Sequence, residues 1–171
     1  CALAICKGET IYSRAFSLGG GNVIDWLPEE NGQVLMTRVQ IADDRLGTRL
    51  GNSKSGIVVD KVDTRTLSSS RIESAKENVD YLSDGHGAVR LISVEQIEGD
   101  SNSGVERWYY RMIGNKEWKP IGDFNYMTDT GFRPQAVDYE RNAVYGYRKL
   151  DGRRALFRLA LDGSMREELI L

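Results

Sequence analysis

The sequence predicts an all-β protein, and three observations lead to that prediction. A weak repeat recurs about every sixty residues. Short apolar runs alternate with turn dipeptides between its copies. Each copy opens with one or two apolar residues, an Asp and an aromatic residue: Val23-Ile24-Asp25-Trp26, Val79-Asp80-Tyr81 and Val137-Asp138-Tyr139. Small sheets repeated in this way must bury their faces against their neighbours. We therefore predict a partial β-propeller of about three to four four-stranded antiparallel blades.

The repeat divides one domain, residues 1–171, into a leading half blade at 1–20 and three blades at about 21–76, 77–126 and 132–171. Each blade holds four predicted strands joined by hairpins. They are Asn22–Leu27, Gln33–Ile41, Gly56–Thr64 and Ser70–Ala75; then Asn78–Ser83, Ala88–Ile97, Val105–Ile113 and Glu117–Phe124; then Pro134–Tyr139, Ala143–Leu150, Ala155–Leu161 and Met165–Leu171.

The second strand of each blade is apolar on both faces, as in Val34-Leu35-Met36, which predicts packing from both sides. The last strand is more polar, as an outer strand should be. For Met165–Leu171 two structures stay open. Ser164 and Glu167 form a capping-box pattern that would start a helix, whereas the repeat favours an outer strand.

Composition excludes several classes of function. The chain is 40% apolar and 28% charged with a net charge of −2, and its Lys and Arg residues are not clustered, so we expect no nucleic-acid partner. No apolar stretch approaches the roughly 20 residues of a membrane helix, so we expect no membrane partner. No signal peptide is visible at residues 1–20. Cys1 and Cys6 lie five residues apart, on opposite faces of a predicted strand, and we expect no disulfide between them.

Catalytic chemistry has little support. The nearest string to a nucleophile elbow, Gly51-Asn52-Ser53-Lys54-Ser55, lacks the second Gly and the following helix. The single histidine, His86, lies in the turn Asp84-Gly85-His86-Gly87, where the glycines favour a tight exposed turn. One histidine and two early cysteines do not make a zinc site. We predict no catalytic residue, no metal and no cofactor.

Two polar stretches are the candidate contact sites. Ala42–Ser55 joins the second and third strands of the first blade, and Glu98–Gly104 joins the same strands of the second. Loops of this size in a compact domain are usually functional or mobile. The candidate contacts with a substrate or a neighbouring domain are Asp43, Asp44, Arg45, Arg49, Lys54, Asp100 and Asn102. For Trp108-Tyr109-Tyr110, packing in the core is the favoured interpretation.

Three strings carry a resemblance to a known family. NVIDWLPEENGQVLMTRVQIADDRLGTRLG, NVDYLSDGHGAVR and YGYRKLDGRRALFRLALDGSMREELIL together resemble the non-catalytic β-propeller of bacterial serine peptidases of the prolyl oligopeptidase family. The acylaminoacyl and dipeptidyl peptidases are members of this kind. The resemblance covers most of the chain from about Gly21 onwards. Each short motif alone is weak, because Asp-Gly hairpins recur in all propellers.

This resemblance implies a two-domain peptidase in which the propeller caps a C-terminal α/β-hydrolase domain. The hydrolase domain carries the Ser-His-Asp triad, and the propeller admits and positions short peptides. The catalytic domain has no counterpart in this chain, so no catalytic residue is carried over. The resemblance therefore implies a fragment that is inactive alone, whose partners are the missing hydrolase domain and short peptides.

A second hypothesis for the function stays open, in which the chain belongs to a non-enzymatic TolB-like or WD-repeat-like propeller that binds a protein partner. A partial propeller would also expose strand edges and apolar sheet faces at its two ends. We therefore expect two copies to form a homodimer through these faces.

Overall fold

The computed structural model describes residues 21–42 and 54–171, and throughout these ranges the regular secondary structure is β-strand without a helix. The strands form three antiparallel sheets. The chain divides into two compact units, Cys1–Val79 and Asp80–Leu171. The first unit holds sheet 1, and the second holds sheets 2 and 3. The predicted all-β class is confirmed. The predicted half blade at 1–20, with Cys1 and Cys6, lies outside the described residues.

Sheet 1 is a four-stranded meander whose strands neighbour each other in chain order. Val34 and Leu35 are successive residues of its second strand and both are buried, so both faces of this strand are covered, as predicted. The observed bounds lie within about two residues of the predicted ones. The strands are β1 (Gly21–Asp25), β2 (Gln33–Gln40), β3 (Gly56–Asp63) and β4 (Ser69–Lys76).

Sheet 2 is also a meander, but it has five strands where the sequence predicted four. The extra strand, β9, pairs with β8 through Phe124↔Gly131 and Asn125↔Thr130. The Asn125 side chain makes this return possible, because its Oδ1 accepts the backbone N–H groups of Met127 at 2.9 Å and Thr128 at 3.0 Å. The strands are β5 (Val79–Ser83), β6 (Val89–Glu98), β7 (Ser101–Tyr110), β8 (Lys119–Asn125) and β9 (Thr130–Gly131).

The prediction of a long loop at Glu98–Gly104 is wrong. The structure has a hairpin there, in which Glu98 pairs with Ser101 around a two-residue turn and Ile97 pairs with Asn102. Polar side chains support the end of this hairpin. The Ser103 hydroxyl donates to the Gln96 carbonyl at 2.7 Å, and Asn102 Oδ1 accepts the Gly104 N–H at 2.9 Å. The polar composition therefore marks a solvent-exposed hairpin end and not a loop.

Sheet 3 is a four-stranded meander built around its central hairpin. The pairing runs without a shift from Ala143↔Ala160 to Leu150↔Arg153. Asp151 and Gly152 close the hairpin with φ angles of 49° and 78°, as a two-residue turn with two positive φ angles requires. The strands are β10 (Arg133–Asp138), β11 (Ala143–Leu150), β12 (Arg153–Ala160) and β13 (Glu167–Leu169).

The last segment of the chain is a strand, which decides between the two structures left open by the sequence. β13 is exposed and pairs with β12 through Phe157↔Leu169 and Leu159↔Glu167. A helix starting at Ser164 would need a helical Met165, but Met165 has a φ of 53°. The Ser164 hydroxyl instead accepts the N–H of Arg166 at 3.3 Å, in a local turn before the strand.

Sheets 2 and 3 share one hydrophobic core. Trp108 and Tyr110 lie in it, 7% and 2% exposed, so the prediction that this aromatic run packs in the core is confirmed for both rings. Fully burying an apolar side chain contributes about 1.5–3 kcal/mol, so this cluster is a main source of stability for the second unit. Its buried members are Leu91, Trp108, Tyr110, Phe124, Phe132, Val144, Leu159 and Leu161.

Candidate functional site

Most of the first predicted contact loop lies outside the described residues, including Asp43, Asp44, Arg45 and Arg49. The base of this loop is described. Gln40 Nε2 donates to the Lys54 carbonyl at 2.8 Å, and the Ala42 N–H donates to the Ser55 hydroxyl at 2.9 Å. These bonds join the two ends of the loop beyond the β2–β3 hairpin. Lys54 is exposed, and its backbone carbonyl accepts the bond from Gln40.

Asp100 and Asn102 lie at the end of the β6–β7 hairpin, and both are exposed. Asn102 has a local structural role through its bond to the Gly104 N–H. Gly104 itself has a φ of 80°, and a Cβ there would lie 2.6 Å from Met127 Cγ. This end of the hairpin is therefore a shaped, hydrogen-bonded element. Its contact with a substrate or a domain stays a prediction.

A cluster that sequence reasoning missed lies at the opposite end of sheet 3 from its β10–β11 turn, where sheets 2 and 3 meet. We call it the cationic pocket. It has a volume of about 100 Å³. Since one water needs roughly 10–15 Å³ of such space, the pocket has room for several waters or a small polar group. Its lining residues are Phe124, Asp129, Gly131, Arg133, Gln135, Tyr147, Arg148, Lys149 and Arg154.

One carboxylate organises this pocket. Arg154 binds Asp129 through two hydrogen bonds, Nε to Oδ2 at 3.1 Å and Nη2 to Oδ1 at 3.0 Å. Lys149 Nζ lies 3.5 Å from Asp129 Oδ2. The hydrogen bonds from Arg154, with a smaller contribution from Lys149, hold the pKa of Asp129 below its ordinary value. Asp129 therefore stays a carboxylate at neutral pH and cannot serve as a proton donor there.

The register of sheet 3 explains why this carboxylate is needed. Lys149 and Arg154 are directly opposite each other on β11 and β12. Like charges in that arrangement repel and destabilise a hairpin. Asp129, from the β8–β9 turn of the neighbouring sheet, sits between them. The string YRKLDGRR was the available signal, since a hairpin at Asp151-Gly152 brings its cations face to face.

Two further arginines of the pocket lie over aromatic rings. The guanidinium carbon of Arg133 is 5.4 Å from the centroid of Phe124. That of Arg148 is 5.9 Å from Phe132 and 5.8 Å from Phe157, and its Nη1 lies 3.0 Å from Glu167 Oε2. The ring beneath Arg133 orients its guanidinium through the face and leaves the N–H groups at its edge available, whereas Arg148 projects from the face opposite to Lys149 and pairs with Glu167.

The predicted turn around His86 is exposed, as expected, and hydrogen bonds from its backbone support it. The backbone N–H groups of His86 and Ala88 donate to Asp84 Oδ1 at 3.0 and 3.1 Å. The His86 ring stacks on Tyr139, with 4.2 Å between centroids. The Asp84 carboxylate therefore supports the backbone of its own turn through Oδ1.

Beneath this turn lies a buried arginine. Arg90 is 1% exposed. Its Nε donates to the Arg111 carbonyl at 2.9 Å, and its Nη2 donates to Asn142 Oδ1 at 2.6 Å. Nη1 lies 3.9 Å from Asp84 Oδ2 without a hydrogen bond. Burial lowers the pKa of Arg90 below its ordinary value, and the nearby carboxylate of Asp84 opposes that shift. Arg90 therefore ties sheet 2 to the β10–β11 turn of sheet 3.

Sheet 1 has its own buried ion cluster. Asp60 is 1% exposed and accepts hydrogen bonds from Arg38 Nε at 2.8 Å and from Arg71 Nε at 2.5 Å. Arg71 in turn donates to Gln40 Oε1 at 2.8 Å. Both carboxylate oxygens of Asp60 are occupied by guanidinium groups. This arrangement compensates the charge of the buried carboxylate within the sheet.

Within residues 21–42 and 54–171, no group of three or more His, Cys, Asp or Glu side chains is placed to hold a metal ion. In the same ranges, no helix is long and apolar enough to span a membrane. In comparisons with known proteins, no family model, curated protein or solved structure matches this chain.

Proposed function

We propose that this chain is part of a non-catalytic β-propeller which, in a serine peptidase of the prolyl oligopeptidase type, caps an α/β-hydrolase domain. In this proposal it admits short peptides and positions them for the triad of that domain. The observation that carries the proposal is the core shared by sheets 2 and 3. Two successive antiparallel meanders are joined through one buried cluster, as neighbouring propeller blades are.

The far face of sheet 3 supports the same proposal. Tyr145, Tyr147 and Leu156 share the face opposite to the core residues Val144 and Leu159, as the pairing of β11 with β12 requires. Tyr147 is 43% exposed. The same face also carries Lys149, Arg154 and Arg158, so it is aromatic in its middle and cationic around it. Aromatic rings exposed on a sheet face are typical of a surface that another layer covers. A further blade is the occupant that a propeller supplies.

In the proposed protein the triad comes from the hydrolase domain, as the resemblance implies, and this chain contributes access control and peptide contacts. Its best candidates for those contacts remain the loop Ala42–Ser55 and the end of the β6–β7 hairpin around Asp100 and Asn102.

The test begins with the reading frame downstream of this chain. The proposal expects a Gly-x-Ser-x-Gly elbow between a strand and a helix. The complete gene product should then react covalently with a fluorophosphonate probe and hydrolyse short peptides but not folded proteins. The control is the same protein with the elbow serine changed to Ala, which should lose both signals. A downstream frame without an elbow, or a complete product that the probe does not label, would overturn the proposal.

One observation favours a second candidate, the protein-binding scaffold. Trp26, in the β1–β2 connection, is 74% exposed, and exposed tryptophans are enriched among residues that dominate protein interfaces. The two candidates give different results in the same experiment. A scaffold predicts no elbow and no probe labelling, together with a partner whose binding weakens when Trp26→Ala is introduced.

A further inference from the structure

We infer that the cationic pocket binds a small oxyanion, either the carboxylate or the phosphate group of a ligand. This inference does not depend on the proposed function, because it rests on the residues that line the pocket. It concerns a site away from the predicted contact loops. Three features of the pocket support it: the charge balance, the orientation of the guanidinium groups, and the size of the space between them.

The charge balance favours an anion. Three cationic side chains, those of Arg133, Lys149 and Arg154, surround the space. Asp129 is the one carboxylate in the lining, whereas Arg148 projects from the opposite face of β11 and pairs with Glu167. Two more cations than carboxylates therefore surround the space. A bound oxyanion would reduce the repulsion between groups that the fold holds together.

The donors are suitably arranged. Arg133 lies with its guanidinium group over the ring of Phe124, which leaves N–H groups at its edge for an oxyanion. Tyr147 and Gln135 also line the pocket. Tyr147 adds a hydroxyl, and Gln135 Nε2 donates one hydrogen bond to the Pro134 carbonyl at 2.9 Å and carries a second N–H. Oriented cations beside neutral donors are the usual means of holding a carboxylate or a phosphate.

A second depression on sheet 3 lacks this imbalance. It measures about 370 Å³ and lies around the facing pair Ala143 and Ala160. Arg141, Arg158 and Arg166 line it together with two carboxylates. Of these, Glu168 pairs with Arg158, and Arg141 pairs with Asp138 outside the lining. Its arginines are thus largely neutralised by the protein, and the smaller pocket is the better anion site.

The experiment titrates the full chain with sodium phosphate and with sodium acetate, at constant ionic strength and with sodium chloride as reference. Backbone amide NMR signals of Gly131 and Arg133 report binding. Saturable shifts with phosphate alone assign a phosphate group, and those with acetate alone assign a carboxylate. Trialanine with a free C-terminus, compared with its amide, then shows whether a peptide carboxylate binds. No saturable shift with either anion would overturn the inference.

Variants locate the site. Arg133→Gln should weaken binding about two- to fivefold, as expected for one exposed ion pair. Arg153→Gln is the matched control, because Arg153 neighbours Arg154 in β12 but projects from the other face. Asp129→Asn should strengthen binding at least about twofold, since it releases Arg154 and Lys149 for the anion. This gain keeps the test decisive even if Arg133→Gln perturbs the fold. Equal effects of the Arg133 and Arg153 changes, or weaker binding in Asp129→Asn, would contradict the inference.

Discussion

Arg90→Met should destabilise the second unit by about 2–5 kcal/mol. The change removes two hydrogen bonds from a charged donor, to the Arg111 carbonyl and to Asn142 Oδ1, and each such bond contributes about 1.5–3 kcal/mol. It also leaves the carboxylate of Asp84 buried, with its side chain 1% exposed, without its nearest cation. Relief of the desolvation of Arg90 offsets part of this loss, because Met fills a similar path without a charge.

The matched control is Arg107→Met in the same sheet. Arg107 binds Asp123 with Nε to Oδ1 at 2.9 Å, but both side chains are nearly half exposed, at 45% and 46%. Exposed pairs contribute about 0–1 kcal/mol. The control should therefore unfold close to the unaltered protein, while Arg90→Met should unfold at least about 8 °C lower, at roughly 4–8 °C per kcal/mol.

The assay is urea and thermal unfolding followed by circular dichroism, with Asn142→Ala added to complete a double-mutant cycle. A link between Arg90 and Asn142 predicts a coupling free energy of about 0.5–3 kcal/mol. Equal midpoints for Arg90→Met and Arg107→Met, or a coupling energy near zero, would refute the conclusion that this arginine ties the two sheets together.

Three further variants test the close packing of sheet 2, the shared core and the Asp129 ion cluster. Gly131→Ala should destabilise the protein strongly, because a Cβ would lie 2.0 Å from the Asp123 carbonyl oxygen. Gly85→Ala has open space around it and should cost only about 1–2 kcal/mol for its positive φ. Urea unfolding midpoints measure both variants, and equal losses of stability would contradict the clash. Leu91→Ala, at a fully buried core position, should lower the free energy of unfolding by about 2–5 kcal/mol. Leu150 is 43% exposed, and Leu150→Ala should lower it by less than about 1 kcal/mol. Thermal unfolding midpoints that fall equally in the two variants would argue against the shared core. The pKa of Asp129 is lowered in the folded state, so its carboxylate contributes stability above the ordinary Asp pKa of 3.8, and that stability is lost as the pH falls through the folded pKa. Asp129→Asn should therefore reduce the fall in the free energy of unfolding in urea between about pH 5 and pH 2. An unchanged slope of that free energy against pH would contradict this.

Association is the remaining expectation from the sequence. A chain with an uncovered face on sheet 3, including Tyr147, should associate as its concentration rises. Light scattering over a wide concentration range measures this directly. A constant monomer mass at every concentration would contradict the expected homodimer.

The strands were predictable because local chemistry decides them. Asp151-Gly152 adopts the two positive φ angles that its residue types favour, and the flanking apolar runs then pair without a shift. The burial of both Val34 and Leu35 followed from an apolar run without alternation. In these cases a few neighbouring residues contain the physical cause, so the sequence is enough.

The cationic pocket and the Arg90 cluster were not predictable in the same way, because their partners are distant in the chain. Asp129 reaches Arg154 from another sheet, and Arg90 meets Asn142 across the shared core. The prediction of a loop at Glu98–Gly104 was wrong for a different reason. Polar residues at a solvent-exposed hairpin end have no core to pack against, so their composition resembles that of a loop.

The most direct test of the propeller proposal is a crystal structure of the complete gene product that contains this chain. The proposal predicts that another four-stranded antiparallel sheet of the same polypeptide covers Tyr145, Tyr147 and Leu156 on the far face of sheet 3. A structure in which helices cover that face, or in which it remains bare to solvent, would contradict the propeller and the peptidase cap derived from it.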